Sequence, residues 1–334
     1  MKTVCLHILL FLLALGCGQS VQADDLDVIV DRSTTPSERG EAYERLTKVP
    51  FESVAAKLLT LIGRTPVLTG INPVDPDHPW LEPRVSEHDR IGMTLHRLWK
   101  FYLDNQKTRE KRINLMLELL ENQSIGSGRS LVALELENCL YWGMRHHDLP
   151  PLDKVLPRLE KIARNPKEPN GLRQTIFGIL LEQGDPNHYL DDAIALCEEE
   201  LEKTYGYSET AEVKQMRRSE RFRFMVLHHV RGGEKLTPEN RAKCLRYGFQ
   251  ELKKIDDGRS GGGYFLAMDL GRLAGVEPMI PGGSPFCPDS RLPKYQGKHG
   301  LTESFFQEPV DNALKWWSEH RSSIEQLICP FAEE

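Results

Sequence analysis

Cysteine is scarce in this sequence, seven among 334 residues, and no two of them form a C-x-x-C pair. H-E-x-x-H is absent as well. These absences exclude zinc ribbons, dithiol redox motifs and helix-borne zinc protease sites as readings of the chain. An excess of positive charge is also missing: 43 Lys and Arg stand against 49 Asp and Glu, a formal net charge of −6, which argues against bulk nucleic-acid binding. Long apolar runs are missing beyond the N-terminus, and the run there, around Leu9 to Leu15, is short for a bilayer span.

That run is the first informative feature. Lys2, an apolar core to Cys17 and Val21-Gln22-Ala23 ahead of Asp24 read as a secretory signal peptide over residues 1–23. Cleavage after Ala23 predicts a periplasmic or secreted protein with no transmembrane span after processing. Ala14-Leu15-Gly16-Cys17 is similar to a bacterial lipobox in its Gly-Cys end, so the alternative is a lipoprotein tethered to a membrane through Cys17. The remaining cysteines, Cys139, Cys197, Cys244, Cys287 and Cys329, are odd in number, which excludes a dense disulfide framework. The first three fall in helical patterns and read as core. Cys287 and Cys329 lie in Pro-flanked segments, and an oxidising compartment predicts a disulfide between them.

The rest of the chain reads as helices. Thr35-Pro36-Ser37-Glu38 carries a capping hydroxyl, an N-terminal Pro and a Glu that reaches back to the cap. After Pro50 a second helix follows, so the two are expected to form a hairpin. A Pro-rich connection, residues 65–83 with Trp80, separates them from further pairs: Ser86 to Asp104 with Lys107 to Glu121, Ser127 to His146 with Pro151 to Arg164, Asn170 to Glu182 with His188 to Lys203, and Glu209 to Val230 with Pro238 to Ile255. Pro157 predicts a kink in its helix or the helix's true start. Residues 24–275 form the expected helical repeat domain, 276–300 a Pro/Gly-rich loop with the composition of a loop and not of a core, and 301–334 a C-terminal capping helix.

Starts near Ser127, Asn170 and Glu209 recur at roughly forty residues, the span of two-helix solenoid repeats. With Pro36-Ser37-Glu38-Arg39-Gly40-Glu41-Ala42 leading into Phe51 to Leu59, and the Pro-bearing Val155-Leu156-Pro157-Arg158-Leu159, the chain resembles the HEAT and armadillo class of α-solenoids. The resemblance implies an all-α fold of stacked antiparallel helix hairpins. An α/α toroid is the alternative architecture.

No catalytic residues, metal ligands or cofactor are predicted. His146-His147-Asp148 and His228-His229 place imidazoles on adjacent helix positions, about 100° apart, where metal sites favour spacings of three or four. Asp75-Pro76-Asp77-His78 reads as a turn. Gly261-Gly262-Gly263 has no following Lys-Ser or Lys-Thr and reads as a joint or a close-packed helix start. Lys214, Arg217, Arg218 and Arg221 share one predicted helix face, with Arg223 on another, and this cationic stripe together with Trp80 forms the candidate ligand-binding set. The functional expectation is an exported, non-enzymatic binding or scaffold module that engages another exported protein or a cell-envelope polymer. The alternative is a toroid enzyme acting on polysaccharide, with Asp185, Asp256 and Asp257 as candidate acids.

Overall fold

The computed structural model describes residues 25–64, 87–126, 128–146, 151–199, 218–230, 233–255, 262–297 and 300–328. Over these residues the protein is all-α, with a single two-residue antiparallel hairpin, Gln296–Gly297 against Gly300–Leu301. The helices are α1 (25–30), α2 (Pro36–Leu46), α3 (Phe51–Arg64), α4 (Glu87–Asp104), α5 (Arg109–Glu121), α6 (Gly128–His146), α7 (Leu152–Ala163), α8 (Asn170–Gln183), α9 (Pro186–Glu198), α10 (218–230), α11 (Pro238–Lys254), α12 (Gly262–Ala274) and α13 (Glu303–Gln326). They fall into two compact units, Met1–Pro151 and Leu152–Glu334.

Local chemistry fixes several starts. The Thr35 hydroxyl accepts from the Glu38 N–H, while the Glu38 carboxylate accepts from the Thr35 N–H at 2.8 Å, closing both halves of a capping box in front of α2. Thr237 accepts from the Asn240 N–H ahead of Pro238, and Asp185 accepts from the Asn187 N–H ahead of Pro186. Pro157 lies inside α7 and does not end it. The helix holds because its buried stripe, Val155, Leu159, Ile162 and Ala163, runs through the proline.

In the first unit α3 packs on α4 and α6, α2 on α4, and α5 on α6. The expected α2–α3 hairpin is therefore not the main packing unit; each of these helices rests on α4. Phe51 sits between Trp99 and Tyr102, with ring centroids at 5.6 and 4.9 Å, and the Tyr102 hydroxyl donates to the Leu46 carbonyl at 2.5 Å. A Cβ on Gly128 would stand 2.2 Å from the Leu59 carbonyl oxygen, so glycine sets how closely α6 begins against α3.

The second unit has two layers. One holds α7, α9 and α11, linked by Arg164 to Asp192 at 2.9 Å and by the Asn187 side-chain Oδ1 accepting from the Thr237 N–H at 2.8 Å. The other holds α8, α10 and α12, where α8 packs on α10 and α10 on α12. Across the layers α7 and α9 pack on α8, and α11 on α12.

A repeated device closes the helix ends. All four buried arginines among the described residues donate to a carbonyl at the C-terminal end of an earlier helix: Arg39 to Asp31 at 3.0 Å, Arg129 to Leu120 at 2.6 Å, Arg173 to Ala163 at 2.9 Å and Arg221 to Leu196 at 2.6 Å. Carbonyls at a helix C-terminus have no partner inside the helix, and a cation there also complements the helix dipole. The device links α1 with α2, α5 with α6, α7 with α8 and α9 with α10. The expected pair α8 and α9 packs as read, and the arginine link joins α9 onward to α10 as well.

Segment 276–300 is irregular, as expected, but its centre is core. Pro285, Phe286, Cys287 and Pro288 are all buried. Phe286 adopts φ 64, a left-handed conformation uncommon for a side chain of this size, and the Asn312 amide donates to its carbonyl at 3.1 Å. A Cβ on Gly271 would lie 2.4 Å from the Pro285 Cβ, so α12 admits the plug only because this position is glycine. Helix α13 packs on α11 and α12, stacking Trp317 on Phe249 at 4.7 Å. No helix among the described residues is long and apolar enough to cross a membrane.

Candidate functional site

The most distinctive surface in the second unit lies on α10 and α12. Helix α10 contains a π turn over Arg223–Leu227, in which the His228 N–H donates to the Arg223 carbonyl five residues back. Such a turn holds one residue more than the regular ladder, and it recurs at functional sites. Phe222, Met225, Val226 and Leu227 are buried here, while Phe224 is 56% exposed. On α12 the first-turn Gly262 and Gly263 are buried, and Phe265 is 43% exposed. A Cβ on Gly248 of α11 would meet Leu270 Cδ2 at 2.3 Å and Phe222 Cε1 at 3.0 Å, so this glycine seats α11 against both helices that carry the site.

The Arg223 guanidinium lies between these two exposed rings, 4.7 Å from the Phe224 centroid and 4.6 Å from that of Phe265. Its Nε donates to Asp269 Oδ2 at 2.8 Å. The other oxygen of Asp269 accepts from Arg272 Nη1 at 2.9 Å. One carboxylate thus orients two guanidinium groups, and the cluster carries one excess positive charge. Two rings within cation–π distance of one guanidinium favour its position there, and aromatic faces suit Arg better than Lys.

The expected site residues are distributed otherwise. Arg218 is half-buried at the described start of α10. Arg221 does not belong to a surface stripe: it is 6% exposed, and its Nη1 also donates to the Glu199 carbonyl at 3.2 Å. A guanidinium placed on the end of α9 is not available to a ligand. Lys214, Arg217 and Trp80 lie outside the described residues, as do residues 1–24 with Cys17, Cys329, Asp256 and Asp257. Asp185, the remaining candidate acid, caps α9.

Cys287 is buried, its thiol free among the described residues, and Tyr264 bonds to it; burial raises the thiol's pKa, and it lifts the Tyr264 hydroxyl to about 12. Cys197 and Cys244 are core, as read from their helical patterns, and burial pushes the Cys244 thiol up to about 12. Of the paired histidines, His228 is exposed, and His229 turns inward to Glu182 at 3.4 Å across the packing of α10 on α8. Gly258-Arg259-Ser260-Gly261-Gly262 has G-x-S-x-G spacing. A nucleophile elbow requires a strand before the serine, and the element preceding this run is helix α11.

In the first unit, a cleft of about 380 Å³ is lined by Val28, Ser33, Thr34, Glu38, Glu41 and Arg45. Two of its ionic groups are engaged, Glu38 in the capping box and Arg45 with Asp25 at 2.7 Å.

Phe224, Phe265 and Asp269 were not singled out by the sequence reading. The available signal was an apolar excess: Tyr264-Phe265-Leu266-Ala267-Met268 holds more apolar residues than one buried stripe can absorb. The link between Arg223 and Asp269 spans 46 positions and leaves no local trace. No family model, curated protein or solved structure matches the chain.

Proposed function

We propose that the chain is an exported helical-repeat binding module of the α-solenoid, HEAT-like class, and that its partner docks on the outer face of α10 and α12. The observation that carries the reading is the exposed Phe224–Arg223–Phe265 sandwich, because exposed aromatic rings around an oriented Arg are the composition of interface hot spots. The repeat assignment is supported by the arginine device, whose members Arg129, Arg173 and Arg221 recur at roughly forty-five residues, within the span of two-helix repeats. Repeat arrays present scaffold-borne side chains on extended faces and need no catalytic group to act. Export through the leader at 1–23 is part of the proposal, with release after Ala23 as the first route and acylation at Cys17 as the second.

The test places a photo-crosslinking phenylalanine analogue at position 224 or 265 of the full chain, expressed with its own leader in its native cells. Position 154, an exposed residue of α7, serves as the control. One discrete adduct shared by 224 and 265 and missing from 154 is the expected result. Adducts that do not depend on position, or none at 224 and 265, would overturn the reading. Intact-mass analysis of the same samples reads the N-terminus and decides between release and acylation.

A further inference from the structure

The chemistry of this face narrows its partner, given the binding-module reading above. Asp269 engages Arg223 at Nε alone among the described residues, which leaves the terminal nitrogens of a partly exposed guanidinium, 23% exposed as a side chain, without a further bond there. This guanidinium edge presents parallel N–H donors, the arrangement that takes a carboxylate in bidentate fashion. Arg272, 54% exposed, adds a second cation on the other oxygen of Asp269. On either side of the Arg223 edge stand apolar rings that water covers poorly, Phe224 and Phe265.

We infer that the face binds an extended, acidic and apolar segment of a partner protein, with an Asp or Glu side chain on Arg223 and neighbouring aliphatic or aromatic side chains on Phe224 and Phe265. Charge complementarity selects the acid, since the cluster has two guanidinium groups for one carboxylate. The surface favours a side-chain carboxylate over a chain terminus. Capture of a terminal carboxylate uses backbone N–H groups gathered in a nest, whereas the backbone around Arg223, Phe224, Phe265 and Asp269 lies within helices. The rings distinguish this face from a general anion site, because a bare anion gains nothing from them and an apolar neighbour does.

The experiment uses the full chain and short fluorescein-labelled peptides of alternating Asp and Leu, with Asn-for-Asp, Ser-for-Leu and Lys-for-Asp versions, each with free and amidated C-termini. Saturable binding of the Asp-Leu peptide is expected, with Asn-for-Asp and Ser-for-Leu each weaker by roughly tenfold or more and C-terminal amidation without effect. Arg223→Gln and Phe265→Ala are expected to weaken the Asp-Leu peptide by a similar factor. Arg223→Lys is expected to restore only part of the loss, because it keeps the charge without the fork. Circular dichroism of each variant verifies the fold. Absent binding, tighter binding of the Lys peptide, indifference to Arg223→Gln, or a requirement for the free C-terminus would each overturn the inference. So would Arg223-dependent sedimentation with phosphatidylglycerol vesicles in place of peptide binding. A discrete crosslink at 224 and 265 alongside failed peptide binding would leave the binding-module reading standing and remove this partner class alone.

Discussion

Arg221 and Arg223 stand two residues apart on α10 and have opposite surroundings. Arg221 points inward onto the end of α9, where burial lowers the pKa of its guanidinium, and its Nε and Nη2 have no hydrogen-bond partner among the described residues. Arg223 points outward, stacked between two exposed rings and ion-paired at one edge. The first serves the backbone and the second is partly exposed beside two rings, so charge alone does not tell a buried structural arginine from a surface one. The same contrast holds between the inner arginine seam of the second unit and the outer face of its α10 and α12.

Substitutions along the seam give the largest expected effects. Arg173 is the fully engaged member, donating to the Ala163 carbonyl, the Asn170 side chain and Glu199. Arg173→Met strands a buried carbonyl and is expected to cost about 3 kcal/mol in urea unfolding. Gly248→Ala drives a methyl into Leu270 and is expected to cost about 2 kcal/mol by the same measurement. Arg221→Met should cost less, about 1 kcal/mol, because it removes unpaired buried nitrogens along with a useful bond. A larger loss than that of Arg173→Met would show that the seam is not graded by hydrogen-bond completeness. On the outer face, Arg223→Gln and Phe265→Ala are expected to shift stability by about 0.5 kcal/mol or less while weakening peptide binding. If Arg223→Gln destabilised as much as Arg221→Met, the distinction between seam and face would fail.

The smallest effect concerns pH. The Thr35 N–H, followed by its hydroxyl, holds the Glu38 carboxyl below its ordinary pKa. A depressed carboxyl stabilises above its unfolded value and loses that contribution as pH falls through the folded one. Unfolding measured from neutral to acid pH should therefore show the stability gap between the parent and Glu38→Gln closing on the acid side.

The helices and their class were legible because caps and stripes are local. Thr35-Pro36-x-Glu38, Asp185-Pro186 and Thr237-Pro238 each mark a start that the structure shares. The links between consecutive helices made by Arg39, Arg129, Arg173 and Arg221 were not legible, since these residues look like surface cations until a helix end is set against them. Nor was the core character of Pro285 to Pro288, whose place depends on the missing side chain at Gly271, fourteen positions earlier. The candidate site joins residues on helices separated by α11, and no spacing rule connects Phe224 with Phe265. The cationic face read from sequence set Arg223 apart from Arg221, and among the described residues Arg221 is buried while Arg223 is partly exposed.

The π turn carries one more implication. A wide turn of this kind holds a surplus residue in an otherwise regular rod, so excising Phe224 is expected to let the ladder close while the apolar stripes before and after it keep their angular positions. The second unit would then retain its scaffold and lose half of its aromatic clamp. A loop insertion alters a surface by adding chain between rods; here a single extra residue inside a rod alters it instead, and its removal is expected to abolish the proposed binding with the least change to the scaffold.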